Sequence, residues 1–234
     1  MTENLEERIA DLQNGFYLIQ DHTEFCFGAD AVILSDFTDI HSAKKENILD
    51  LGCGNGILPL LLFAKGFRNI HGLELQKKTV DLAQRNLKLN SLENEINILH
   101  GDIREIKSVL KGRKFNMVIS NPPYIKHKGG LLNEKESVAI ARHEICCTLD
   151  DLVKAAAYVL NSSGKFYFIH RAYRLADIIV TLRKYNFEPK IIRFVHSYEN
   201  TQAVFVLVQA SKNGKGECKV LKPLILYPGI KAEG

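Results

Sequence analysis

The run Asp50-Leu51-Gly52-Cys53-Gly54-Asn55-Gly56 constrains the fold of this chain more than any other feature. Glycines at alternate positions let a backbone turn sharply and approach a ligand closely. An apolar segment, 47–51, precedes the run and a helix-length segment, Ile57 to Lys65, follows it. The expected arrangement is therefore a strand, a glycine loop, and a helix whose N-terminus offers unpaired N–H donors. Such a loop alone is a weak signal, because dinucleotide-binding proteins share it. A G-x-G-x-x-G reading would require Gly or Ala three places after the second glycine, and here Gly54 is followed by Asn55, Gly56 and Ile57. That disfavours a nicotinamide dinucleotide, the runner-up ligand for the loop.

From residue 47 onward short apolar runs alternate with helix-length segments, the pattern of parallel strands joined by crossover helices. Strands are expected at 47–51, 69–74, 96–100, 116–120 and 165–170. Helices are expected at 57–65, at 77–89 with Val80, Ala83 and Leu87 at helical spacing, at 149–160, and within 171–185. Further strands are expected at 190–195 and 203–209. The polar stretch 211–217, lying before the apolar run Leu224 to Tyr227, reads as a hairpin turn. The fold class expected is α/β, a doubly wound seven-stranded sheet, mostly parallel with an antiparallel C-terminal hairpin. Residues 1–40, with a short strand at 16–20 and a helix beginning after Asp30, read as an N-terminal cap on a domain formed by 41–234. About forty residues rarely hold a core alone.

Composition excludes several classes. Neither an uninterrupted apolar stretch nor a signal-peptide pattern opens the chain, so a cytoplasmic protein without a membrane partner is expected. Five cysteines, with Cys146 and Cys147 adjacent, lack C-x-x-C spacing and read as reduced thiols, so neither disulfide nor metal is expected. The formal net charge of +4 permits a polyanionic partner without requiring one.

Two further acids fall at strand ends: Glu74 closes the second expected strand and Asp102 follows the third. With Asp50 they converge outside the carboxyl ends of the sheet, where open α/β sheets bind ligands. Any one of them could be a helix cap or a solvated turn residue; the set in register with the glycine loop points to a site. Asn121-Pro122-Pro123-Tyr124 follows the fourth expected strand at that same edge. Two prolines fix φ and remove two donors, leaving carbonyls to accept. An exocyclic NH₂ could donate to the Asn121 side-chain oxygen and the Pro122 carbonyl, with Tyr124 stacked on a planar group. A proline turn capping a strand would carry the same residues.

The glycine loop and these acids resemble the Rossmann-like class of S-adenosylmethionine methyltransferases. The resemblance implies that S-adenosyl-L-methionine is the cofactor. It places Gly52 and Gly54 beneath it, alongside Asp50, Asn55 and Gly56, with Glu74 and Leu75 at the ribose, Asp102 and Ile103 at the adenine, and Asn121 beside the transferred methyl. Asn121 to Tyr124 resembles the motif of amino-methyltransferases acting on adenine N6, on cytosine or guanine exocyclic nitrogens, or on glutamine. The segments Phe27 to Leu34, Ala141 to Glu144, His170-Arg171 and Lys222 to Tyr227 resemble the bacterial valine-tRNA adenine-N6 methyltransferases. By that resemblance Gly28 and Asp30 close over the methionine end of the cofactor, and the reaction is methylation of adenine N6 in tRNA, in the anticodon loop of valine tRNA.

The stretch 125–148 carries Lys126, Lys128, Arg142 and His143, cations suited to the phosphates around a flipped base; a solvated lid is the alternative. A second basic cluster, Arg104, Lys107, Lys111, Arg113 and Lys114, reads as a solvated helix face. A monomer acting on tRNA is expected. Two alternatives stay open: a protein glutamine-N5 or rRNA guanine-N2 methyltransferase, and a non-catalytic cofactor-binding subunit. About forty residues precede the cofactor sheet, where the glutamine enzymes carry a separate helical domain, which favours RNA.

Overall fold

The computed structural model describes residues 7–21, 28–38, 47–122 and 147–229. Its centre is a nine-stranded sheet. Strand β3 (Ile48–Leu51) pairs in parallel with β4 (Ile70–Glu74) on one side and β6 (Phe115–Ser120) on the other, and β4 pairs in parallel with β5 (Ile96–His100). Beyond β6 lies β7 (Leu160–Arg171), parallel to it, followed by β9 (Ala203–Lys212) and β8 (Phe187–His196), each antiparallel to its neighbour. The chain thus reverses its direction of travel across the sheet between β3 and β6, the switch point at which such sheets open a crevice.

Helices cover both faces: α2 (Ile57–Ala64), α3 (Lys77–Leu89), the short α4 (Ile106–Leu110), α5 (Leu149–Val159) and α6 (Leu175–Lys184). Central strands read as continuous apolar runs because both faces are buried, and all four residues of β3 are. Two cores result, one containing Ile48, Leu60, Ile70 and Val80, the other Leu49, Leu73, Val153 and Phe166. Thr148 caps α5 reciprocally with Asp151, each bonding the other's backbone N–H, which fixes where that helix begins.

Three expectations need correcting. The polar stretch 211–217 is not a hairpin turn. The antiparallel hairpin near the C-terminus is β8 and β9, joined through 197–202, and after β9 the chain passes to the far side of β8. There β10 (Lys219–Val220) and β11 (Leu224–Ile225) lie parallel to β8. Both sides of β9 are already paired, with β7 and with β8, so the apolar run after the polar stretch finds its free edge on β8. The sheet accordingly has two short edge strands beyond the seven expected. Strand β7 also starts five residues before the expected Lys165, its turn-like residues 161–164 forming an irregularity against β6 between Phe115 and Met117.

At the N-terminal side, β1 (Glu7–Asp11) and β2 (Tyr17–Asp21) form an antiparallel hairpin whose first strand the sequence reading missed. Helix α1 (Ala29–Phe37) begins just before Asp30. Leu18, Ala31 and Leu34 join the core of the main sheet.

Candidate active site

Strand β3 delivers the glycine loop to the carboxyl edge of the sheet, and adjacent strands deliver the other candidates to that edge. Asp50 lies opposite Ile119 of β6, so Asn121 leaves its strand level with Gly52. Ser120 locks this register by donating its hydroxyl to the Leu51 carbonyl at 2.7 Å. Asn121 and Pro122 are half-buried. Pro123 and Tyr124 lie outside the described residues, as do Lys126, Lys128, Arg142 and His143.

Gly52 and Gly54 have φ of 76° and 54°, values that favour glycine, and a Cβ built on either would meet no atom within 4 Å. The loop therefore adopts a left-handed path beside open space, the form of a cradle for a ligand lying against backbone. Gly56 is the N-cap of α2. Asn55 is buried and its carbonyl accepts from the Asn86 side chain at 3.0 Å.

The acids differ in environment. Asp50 is fully buried, and neither carboxylate oxygen has a hydrogen-bond partner among the described residues. Burial, with the Glu74 carboxylate as a second cause, pushes its pKa well above the usual carboxylate range. Buried carboxylates are ordinarily satisfied, so this orphaned group beside an open glycine loop fits a ligand bearing a cation or N–H donors. The same burial, reinforced by Asp50 and Glu74, raises the Cys53 thiol and leaves it a poor nucleophile. Glu74 accepts from the Gly54 N–H at 3.0 Å and the Gln76 N–H at 2.9 Å, so it braces the loop. Leu75 follows it, its carbonyl in contact with His100 Nε2 at 2.9 Å.

Asp102 caps the short 3₁₀ turn Ile103–Glu105 and is held by Arg104, with the guanidinium at 2.5 Å. That contact lowers its pKa. Ile103 packs, partly buried, against the second core. Arg104 is thus a partner of the candidate site, whereas Lys107 and Lys114 of the same basic cluster sit over the Tyr158 ring at 5.6 and 4.6 Å. Gly28 is the N-cap of α1 and Asp30 is buried in that helix's first turn. Among the described residues no group of three or more His, Cys, Asp or Glu could hold a metal ion, and no helix is long and apolar enough to cross a membrane.

Asn86 is the site residue that sequence reasoning missed. It and Asn90 fall on the stripe of α3 that carries Val80, Ala83 and Leu87, and polar residues on an apolar stripe were the available signal. Their side chains pair with β2: Asn86 with the N–H and carbonyl of Ile19 at 2.6 and 3.2 Å, Asn90 with those of Tyr17 at 2.8 and 2.7 Å. The four-residue step of the helix matches the two-residue step of the strand.

Known proteins share this architecture. A protein of Agrobacterium tumefaciens described as a predicted O-methyltransferase superposes with a TM-score of 0.66 at 23% identity, over 85% of this chain and 88% of that one. A Thermus thermophilus 16S rRNA N2 methyltransferase, solved with AdoMet and guanosine, superposes with a TM-score of 0.61 at 18% identity, over 88% of this chain and 50% of that one. A tRNA1(Val) (adenine(37)-N6)-methyltransferase of Tolumonas auensis is 30% identical over 152 residues, 64% of this chain and 61% of that protein. The chain therefore spans less than two thirds of that relative's length. A protein of the same name from Phocaeicola vulgatus is 24% identical over 82% of this chain and 80% of its own length. The model of the methyltransferase small domain matches residues 28–184, well over half of the sequence, and the chain belongs to that family.

Proposed function

We propose that this protein is an S-adenosylmethionine-dependent N-methyltransferase whose substrate is N6 of an adenine in tRNA. The observation that carries the reading is the register of β3 and β6, which sets Asn121-Pro122 beside the glycine loop and the orphaned Asp50 carboxylate. S-adenosylmethionine, when bound, supplies an electrophilic methyl group on a sulfonium sulfur. The orphaned Asp50 suits its methionine ammonium, the open face of Gly52 and Gly54 suits its chain, and Glu74 and Leu75 flank its ribose. Asp102 and Ile103 take its adenine, with Asp102 released from Arg104 to do so. Gly28 and Asp30 lie at the methionine end.

Asn121 offers a side-chain oxygen, and Pro122 a carbonyl, to the two N–H groups of an exocyclic amine. Holding both hydrogens aims the nitrogen lone pair, and Pro123 and Tyr124, the next two residues of the motif, are assigned to the same site. Such an amine becomes strongly acidic only once methylated, so positioning supplies most of the rate and no strong base is needed. Adenine is favoured over guanine or glutamine by the relatives named as tRNA1(Val) adenine methyltransferases; valine tRNA is the specific substrate to try first. Lys126, Lys128, Arg142 and His143 are assigned to its phosphates. We assign residues 1–40 to a cap on the catalytic body, and the protein to the cytoplasm, acting as a monomer without a metal. The test is transfer of labelled methyl to unmodified tRNA followed by nucleoside mass spectrometry. N6-methyladenosine is expected; N2-methylguanosine, or label in protein glutamine, would overturn the substrate assignment.

A further inference from the structure

Two segments, His170-Arg171 and Lys222 to Tyr227, have no part in the cofactor or amine site, yet the sheet brings both to its active edge. Strand β7 runs parallel to β6 with Phe168 opposite Ser120, so Arg171 ends on the neighbouring strand two residues beyond the level of Asn121. Strand β9 starts opposite it, with Arg171 facing Phe205, and β8 ends there with His196 facing Ala203. Strand β11 runs parallel to β8 with Ile225 opposite His196, and the Tyr227 N–H continues the ladder to the Ser197 carbonyl at 2.9 Å. From Asn121 to Tyr227 the edge therefore spans several strand spacings of about 4.8 Å each, the reach of a few nucleotides.

Rings and a guanidinium line this edge. Tyr198 and Tyr227 lie against each other with centroids 5.3 Å apart, and Tyr227 is 57% exposed. Tyr173, in the 3₁₀ turn that leaves β7, is 60% exposed. The Arg171 guanidinium lies 4.8 Å over the Phe205 ring. The support is stiff. His196 Nδ1 donates to the Thr201 carbonyl at 2.6 Å, the Tyr198 N–H donates to Thr201 Oγ1 at 3.1 Å, and the Glu199 N–H donates to the Gly229 carbonyl at 3.2 Å. Rings held in place before binding lose little conformational freedom on contact. Exposed rings scattered singly need no explanation, but rings gathered on adjoining strand ends mark an interaction surface, and these lie at the ends of the strands that follow β6 across the sheet.

Resting on the function proposed above, we infer that the edge formed by Tyr173, Arg171, Tyr198 and Tyr227 is a stacking platform for unpaired RNA bases next to the base being methylated. Planar rings and an arginine recognise exposed base faces, which single-stranded loops present and duplexes hide. The platform selects RNA that carries its target in a loop.

The test compares an adenine-containing stem-loop RNA with a blunt duplex of the same stem, by equilibrium binding and by methyl transfer. Tyr173→Ala and Tyr227→Ala should each raise the stem-loop Kd about fivefold or more, as loss of one stacked base does, at every salt concentration. Tyr227→Phe should retain wild-type affinity because the ring remains, and the exposed Val180→Ser on α6 is the surface control. Arg171→Gln should flatten the salt dependence, which the tyrosine variants leave alone. Cofactor affinity, measured calorimetrically on each variant, verifies folding. Wild-type stem-loop affinity in both alanine variants, or an equal loss toward the blunt duplex, would overturn the platform while leaving the function intact. Failure of the wild-type protein to methylate any RNA would instead overturn the function on which the platform rests.

Discussion

The side-chain amide of Asn86 donates to the backbone carbonyl of Asn55 at 3.0 Å, tying helix α3 to the glycine loop. The same side chain holds Ile19 of β2, so one fully buried residue joins the N-terminal hairpin to the glycine loop. Asn86→Ala should destabilise the protein by about 2 kcal/mol, since it leaves buried backbone groups unpaired, and should weaken S-adenosylmethionine binding severalfold. Asn90→Ala, which frees Tyr17 and the helical Asn86 carbonyl, should loosen the hairpin and leave cofactor affinity unchanged. Calorimetry with hydrogen exchange separates the two; equal cofactor affinity in both variants would show that the hairpin does not communicate with the loop.

Asp50 sets stability against binding. A carboxyl whose folded pKa is raised contributes a penalty that is absent below its ordinary value of 3.8 and grows as pH rises toward the folded pKa. Asp50→Asn removes that penalty. At neutral pH, without cofactor, it should raise stability by about 1 kcal/mol, a few degrees in Tm for a chain of this size. Cofactor affinity should fall at least about tenfold. A less stable Asp50→Asn protein in thermal unfolding would contradict the orphaned carboxylate.

His170 predicts the acid limb of the stability profile. Burial, with Arg174 nearby, lowers its pKa from 6.5 to about 4, and its Nδ1 accepts from the Arg171 N–H at 2.8 Å, as a neutral ring must. Below pH 6.5 the unfolded chain takes up a proton that the folded one refuses. Stability is therefore complete above that pH and falls as pH drops toward 4, by about 2 kcal/mol between pH 7 and pH 5. Urea unfolding across that range measures it. His170→Gln should remove the slope; an unchanged slope would assign the effect elsewhere.

Much of the candidate site was legible because it is local. Glycine spacing, a strand-terminal acid and an Asn-Pro turn are each written within a few residues, and the parallel sheet follows from alternating apolar runs. The strand positions 96–100 and the helix 77–89 match the structure residue for residue. What escaped depends on contacts between distant segments. Strand β1, with only Ile9 and Ala10 among Glu7, Arg8 and Asp11, has no apolar face and is held by β2 and by Arg85, whose guanidinium pairs with Glu7 at 2.6 Å. The place of residues 219–225 is set by β8, about thirty residues earlier, so local turn chemistry pointed to the wrong neighbour. Asp102 read correctly as a strand-end acid, but its grip on Arg104 required knowing that the 3₁₀ turn curls the arginine back.

Asn121 tests the central claim most directly. Under the proposed assignment, replacing it with alanine removes the side-chain acceptor for the target amine while leaving Gly52, Gly54, Glu74 and Asp50 to hold the cofactor. Single-turnover transfer of labelled methyl to unmodified tRNA should slow by at least about a hundredfold, the range expected when a positioned transition-state contact is lost. S-adenosylmethionine affinity in the same variant should stay within about twofold of wild type. Methyl transfer by Asn121→Ala at the wild-type rate would contradict the assignment of the catalytic turn, even in a protein that binds the cofactor as described.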